Sequence, residues 1–211
     1  MKGILISIEG PDGAGKTTQI TLLKQYLEQT GYELLLTREP GGTNISEKIR
    51  TLILDRENIE MAIQTEMMLY CAARAQLVQE VIKPALEQGK AVICDRYIDS
   101  SVVYQGIARG IGIETVYQVN EYAIQGIWPD LTIHLDLDAK EGIKRKKDQT
   151  ELDRMELETM EFHEKVAQGY RTLAQRDPDR IKTIDASMSI EAIHDKIKEY
   201  VEMIAKQTYN R

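Results

Sequence analysis

The chain has 211 residues, of which 42% are apolar and 29% charged, and carries a formal net charge of -7. That length suits one well-packed domain, or one domain with an insert, and the composition is that of an ordinary soluble globular protein. The acidic balance argues against a general nucleic-acid binder, which would show a basic face, yet leaves room for a small anion held at a local basic site.

The first apolar run, "GILISIE" (3–9), is short, β-branched and flanked by glycine, and predicts a buried strand. It is too short for a signal peptide or a membrane span, so a cytoplasmic chain with no membrane association is expected. Residues 16–31 have helical spacing at Ile20, Leu23 and Leu27, with Gly31 at the end. A second strand is predicted over 32–39 and a helix over 44–54, with Ser46 as its candidate cap. A long helical stretch over 60–83 should end or kink at Pro84 and close at Gly89.

A third strand follows at 90–97, then helical segments near 99–108 and 114–126, and a fourth strand at 130–137. The basic stretch 140–154 leads to a helix over 155–176, a fifth strand over 180–186 and a final helix over 189–206. Alternation of this kind argues for an α/β fold, a parallel sheet with helices on both faces, in a single domain spanning 1–211. The charged segment 142–154 has few apolar residues to pin it and is expected to be the mobile part. Cys71 and Cys94 form no CxxC pair, and His134, His163 and His194 have no ligand spacing, so a disulfide framework or a zinc site is not expected.

Between the first strand and the first helix, Gly10-Pro11-Asp12-Gly13-Ala14-Gly15-Lys16-Thr17 matches GxxxxGK[ST], with Thr18 following. A glycine-rich turn capping a helix is the plain alternative. The strand–loop–helix setting favours a triphosphate cradle, in which backbone N–H groups and the helix start face phosphate oxygens. In that reading Lys16 reaches the β- and γ-phosphates and the Thr17 hydroxyl ligates Mg²⁺.

Ligands of an open parallel sheet bind beyond the carboxyl ends of its strands. The second strand ends in "TREPGGT" (37–43) and the third in "DRY" (95–97), which brings Arg38 and Arg96 to the edge that carries the phosphate loop. Either arginine could simply pair with a carboxylate. Together they suggest a second phosphate site facing the first, because a guanidinium fork matches phosphate oxygens. Asp95 is a candidate Mg²⁺ partner, or else an ion-pair partner of Arg96 or Lys16. The bond before Pro40 may be cis or trans as far as sequence goes.

Tyr70 and Arg74 lie four residues apart and share a helix face, where a ring and a guanidinium could hold a flat base. Spacing alone favours a core tyrosine and a surface arginine. Ser101, Tyr104 and Gln105 fall on one turn, either as a base-reading wall or as an ordinary polar face. "KRKK" (144–147) and Arg154 read as a solvated charge run, or as a lid bringing cations to a transferring phosphoryl group.

The motifs "IEGPDGAGKTTQ", "TREPGGT", "LYCAARAQLV", "DRYIDSSVVYQG" and "LDRMELETMEFHEKVAQGYRTLA" together resemble the bacterial thymidylate kinases, in order and at compatible spacing over about residues 3–174. The resemblance implies a P-loop nucleoside monophosphate kinase fold with a five-stranded parallel sheet and a short lid. It implies transfer of the γ-phosphoryl of ATP to dTMP, a step toward dTTP, with ATP and Mg²⁺ at the loop, and a homodimer. It puts Arg38 and Arg96 on the dTMP phosphate and Tyr70 on the thymine face. Arg74 would meet a thymine carbonyl, Tyr104 would lie under the deoxyribose, and Gln105 beside the base. Asp12 would face the sugar or the acceptor phosphate, and Arg145, Lys147 and Arg154 would belong to the lid. Three positions depart from the family pattern: Tyr70 stands where Phe is common, Ala73 where Asp or Asn is frequent, and Lys147 where Arg is commoner.

Other readings are a kinase for a different nucleoside monophosphate or small metabolite, a GTP-dependent switch, or a motor ATPase subunit. The switch would need an NKxD guanine reader and an ABC-type subunit an LSGGQ-like signature, and neither is present in the sequence.

Overall fold

The computed structural model describes residues 3–147 and 152–209. Five strands form one sheet in the order β2-β3-β1-β4-β5, every neighbouring pair parallel. They are β1 (Ile4–Glu9), β2 (Leu34–Arg38), β3 (Ala91–Asp95), β4 (Leu131–Asp136) and β5 (Ile181–Asp185). β1 is central and buried along its whole length, as a strand covered on both faces must be.

Side chains alternate across the sheet and build two cores. Ile4, Ile6 and Ile8 of β1 and Ile93 of β3 face one core, with Leu23 and Leu27 of α1 (Lys16–Gln29) and Ile193 and Ile197 of α9 (Ile190–Tyr209). Leu5, Val92 and Cys94 face the other. That side is covered by α3 (Ile63–Leu77), α5 (Ile98–Ser101), α6 (Ile113–Ile124) and α8 (Met160–Arg176).

Several local expectations change. The helix α2 (Asn44–Leu54) is capped by Thr43, whose hydroxyl accepts from the Ser46 N–H at 3.1 Å. Ser46 instead donates its Oγ to the Ala73 carbonyl at 2.8 Å, tying α2 to α3. The long helix starts at Ile63 rather than 60, and Pro84 does not break it. The chain widens into a π-helical turn over Val78–Ile82, and Pro84 falls in the first turn of α4 (Lys83–Glu87), where its missing N–H costs little. Gly89 then closes the helix with a positive φ of 80°.

A second π-helical turn, Val102–Ala108, continues α5. α8 begins at Met160, capped by Thr159, so 155–159 are not helical as expected. The segment 142–154 starts inside α7 (Ala139–Lys147), and Arg154 at its end is buried rather than solvated.

Candidate active site

The carboxyl ends of β1, β2 and β3 open onto one cavity of about 450 Å³. Its wall includes Lys16 and Thr17 on one side, Arg96 at the floor, and Tyr70, Arg74 and Gln105 on the other. Asp12, Gly13, Gly15, Thr18, Arg38, Asp95, Ser101 and Tyr104 also reach it.

The phosphate loop leaves β1 through left-handed backbone at Gly13 (φ 77°) and Gly15 (φ 86°), conformations that cost glycine little. Gly13 is also a close-approach position. A Cβ there would collide with the Gly142 carbonyl of α7, so the loop and α7 touch through their backbones. Lys16 is buried at the start of α1 and its Nζ donates to the Gly10 and Pro11 carbonyls at 3.2 and 3.1 Å. Burial, then the nearby Arg96 charge, lower its pKa to about 8 against the opposing pull of Asp12. The Asp12 carboxylate lies 3.9 Å from Lys16 and 2.8 Å from Arg96, and so stands between the two cations.

Arg96 follows β3 with a φ of 69°, unusual for a side chain of that size. Its N–H is held by the Ile8 carbonyl at 3.1 Å. Its Nη1 donates to the Ser100 and Tyr170 hydroxyls at 3.2 and 3.0 Å, and its guanidinium lies 5.2 Å from the Tyr104 ring centroid. Both hydroxyls in turn donate to Glu9, at 2.6 Å from Ser100 and 2.9 Å from Tyr170. Glu9 also accepts from the Ser7 hydroxyl and from the Tyr97 N–H at 2.8 and 2.7 Å. Burial, with the Asp99 charge, pushes the Glu9 carboxyl above its ordinary range.

On the far wall Arg74 is 1% exposed. Its Nε donates to Glu39 at 2.8 Å, its Nη2 to Glu39, Tyr97 O and Ser101 Oγ, and its Nη1 to Asn120. This is not the surface arginine that spacing alone would allow. Burial raises the Glu39 carboxyl to about 7, against Arg74. Glu39 precedes a cis peptide bond to Pro40. Tyr70 is half-buried, and Gln105 is buried with its Nε2 donating to Glu66 at 3.0 Å.

The remaining predicted residues are spread out. Arg38 is exposed and paired with Glu47 at 2.9 Å, at the cavity edge. Asp95 lines the cavity; neither Arg96 nor Lys16 is its ion-pair partner among the described residues, since both pair with Asp12. Arg145 pairs along α7 with Glu141 at 3.1 Å and is not among the cavity-lining residues described. Arg154 also stands outside that lining, donating to the Ile53 carbonyl and to Glu66, each at 2.7 Å. Lys147 ends α7, and its side chain lies outside the described residues.

The structure adds residues that motif reading left without a role. Arg50 lines the cavity and donates to the Pro40 carbonyl at 2.8 Å, and Ser100 and Asp153 also reach it. Glu9 and Glu66 hold cavity residues from behind. A charged residue ending a buried strand, and one a helical turn before Tyr70, were the signals available for those two.

The thymidylate kinase family profile matches residues 8–197. A thymidylate kinase of Geobacillus sp. (strain WCH70) is 50% identical over 208 residues, covering 94% of this chain and 99% of the relative. One of Clostridium novyi (strain NT) is 46% identical over 202 residues, covering 95% and 98%. The crystal structure of thymidylate kinase from Ehrlichia chaffeensis superposes with a TM-score of 0.78 at 32% identity, over 95% of this chain and 99% of that one.

Proposed function

This chain belongs to the thymidylate kinase family, which moves the γ-phosphoryl of ATP to dTMP, and we propose how its own residues divide that work. The carrying observation is that Lys16 and Arg96 share one carboxylate, Asp12, inside one cavity. Lys16 then holds the β- and γ-phosphates of ATP at the loop Gly10 to Thr18, while Arg96 and Arg38 hold the dTMP phosphate opposite. Asp12 keeps the two cations close before substrates arrive and turns to the acceptor sugar or phosphate afterward. A phosphoryl group in flight between two anions needs positive charge on both sides and little covalent help.

Thr17, exposed at the start of α1, and Asp95 on the cavity wall offer oxygens of the kind Mg²⁺ takes, and would hold it. Bound there, Mg²⁺ would neutralise charge on the β- and γ-phosphates. Tyr70 stacks on thymine, Arg74 and Ser101 meet its carbonyl side, Gln105 its edge, and Tyr104 lies beneath the deoxyribose. Arg145, Lys147 and Arg154 belong to a lid over about 142–154 within a single domain. Arg154 acts there from an anchored position, while the Gly13–Gly142 backbone contact makes α7 responsive to the loop.

Two broader readings accompany this one. A homodimer is supported by Met68 of α3 and Tyr122 of α6, 52% and 91% exposed on packed neighbouring helices. Light scattering should give about twice the chain mass of 24.1 kDa. A cytoplasmic setting is supported by Cys71 and Cys94, both free thiols.

ADP release, measured with ATP, Mg²⁺ and each nucleoside monophosphate in turn, tests the assignment. Strong turnover with dTMP, less with dUMP and little with CMP, AMP or GMP is the expected pattern. Turnover with a purine acceptor instead would overturn the base-side roles.

A further inference from the structure

Glu66 lies on α3 one helical turn before Tyr70 and is 1% exposed. Four N–H donors converge on its carboxylate. Oε1 accepts from Gln105 Nε2 at 3.0 Å and Arg109 Nε at 3.2 Å. Oε2 accepts from Arg109 Nη2 at 3.1 Å and Arg154 Nη2 at 2.7 Å. Burial alone would raise this carboxyl, but the hydrogen bonds from Arg109, Gln105 and Arg154 hold it below its ordinary range. Arg109 is itself fixed from outside, by Glu158 at 2.6 Å and by the Phe162 ring, whose centroid is 4.6 Å away.

An ionised carboxylate only accepts hydrogen bonds. The Gln105 amide therefore has one way to turn, with its NH₂ on Glu66. Its carbonyl Oε1 is left as the group it can offer to the cavity it lines, and no partner for that oxygen is recorded among the described residues. Arg74, on the same wall, can only donate. The wall thus presents one acceptor and one donor whose roles cannot be exchanged.

We propose that Glu66 determines base specificity by acting through Gln105: it locks the amide with its oxygen toward the acceptor nucleotide. The pocket then favours a pyrimidine with an imino N–H at position 3 over cytosine, which carries an acceptor there. Thymine and uracil both offer that N–H beside the O4 carbonyl. Cytosine offers N3 to Oε1 and its amino group to Arg74, so acceptor faces acceptor and donor faces donor. The inference rests on the thymidylate reading of the cavity. It makes Glu66 a positioning residue rather than a catalytic one, since it is not itself in the cavity lining.

The test is Glu66→Gln, assayed for kcat/KM with dTMP, dUMP and dCMP beside the wild type, with thermal melting to confirm folding. A neutral amide can offer Gln105 either an oxygen or an NH₂, so both orientations of Gln105 become available. The dTMP-to-dCMP preference should narrow by about tenfold or more, while the dTMP-to-dUMP preference stays put, because both of those bases carry the N3 hydrogen. A purely structural Glu66 would lower all three substrates together. That result, or no change, overturns the proposal and leaves the thymidylate assignment standing. A wild type that takes dCMP as readily as dTMP would overturn both. Should Glu66→Gln not fold, Glu66→Asp serves: the carboxylate is kept but drawn back from Gln105 Nε2, so the same preference must narrow, and a retained preference overturns the proposal.

Discussion

The phosphate-loop end of the cavity and its far wall are built in opposite ways. At the loop, Thr17 and Thr18 are exposed, and Lys16 rests on two carbonyls and one carboxylate. At the far wall, Arg74, Glu39, Ser101, Asn120, Gln105 and Glu66 are all buried, and hydrogen bonds link Arg74 with Glu39, Asn120 and Ser101, and Gln105 with Glu66. A charge-dense phosphate chain can displace weak local contacts and be held by whatever cations remain. A flat, nearly neutral base offers a few hydrogen bonds and a ring face, so its reader must be rigid before it arrives. Stability and recognition are therefore fused at the wall and separable at the loop.

Substitutions should expose that contrast. The largest effect is expected from Arg74→Ala, which strands Glu39 and Asn120 in the interior. Equilibrium unfolding should show a loss of about 3–5 kcal/mol, together with weaker dTMP binding. A loss near zero would mean the wall is no more rigid than the loop. Lys16→Ala should lower turnover by roughly 10²–10³-fold while leaving the melting temperature almost unchanged. A stability loss comparable to that of Arg74→Ala would erase the distinction.

Lys16 also makes a pH prediction. Its pKa in the free enzyme lies near 8 instead of 10.5. Phosphates favour its charged form, so ATP binding should take up about half a proton at pH 8 and almost none at pH 6.5. Calorimetry in buffers of different ionisation heat reads this directly, and equal uptake at both pH values would contradict the assignment. The sign for stability is opposite in tendency. The unfolded lysine keeps its proton up to about 10.5 and the folded one releases it above about 8, so the Lys16 contribution favours folding as pH rises through that window.

A smaller effect is expected from Tyr170→Phe, which removes the hydroxyl between Arg96 and Glu9 but keeps the ring. Affinity for dTMP should fall by about 3–10-fold while affinity for thymidine, which lacks the phosphate, is unchanged. An equal drop for both would show that Tyr170 merely supports the pocket. The smallest effect on stability belongs to Arg38→Ala, whose cost should fall on dTMP binding instead. Its pair with Glu47 is about half exposed on both sides, so stability should change by less than about 1 kcal/mol.

How much of this could be read in advance follows the same division. The phosphate loop is a contiguous stretch whose glycines, lysine and threonine each have a local reason, and it lies where the sequence put it. The five parallel strands and the helix-covered faces follow from short apolar runs alternating with amphipathic ones, whereas the strand order came only from the folded chain. The far wall was legible only as fragments. Nothing in the spacing of Tyr70 and Arg74 reveals that Arg74 is wrapped by Glu39, Asn120 and Ser101, which are 35, 46 and 27 residues away. Of the two readings open for Arg154, a solvated charge or a lid cation, its burial excludes the first. Its partner, Glu66, lies 88 residues earlier, and no local pattern announces a buried pair of that span. Ser46 failed as a cap for a humbler reason, since Thr43 three residues earlier has the same hydroxyl chemistry and stands in extended backbone just before the helix, with Ser46 already inside it.

The wide turn over Val102–Ala108 has a consequence for how this chain could be altered. Such a turn holds one more residue than regular α-helix, its N–H groups reaching five residues back, as the Arg109 N–H does to Tyr104 O at 2.9 Å. Deleting one residue there would mend the helix. The helix beyond the cut would keep nearly its present angle, because the wide turn already absorbs the extra residue within one circle, while the residues inside the turn would swing about the axis. Gln105, inside it, could then no longer reach Glu66, even with Ser101 and Arg109 on either side still facing Arg74 and Glu66. An engineer optimising backbone regularity would thus gain a straighter rod and lose the alignment of Gln105 with Glu66, so the irregular turn is the part of the helix least open to improvement.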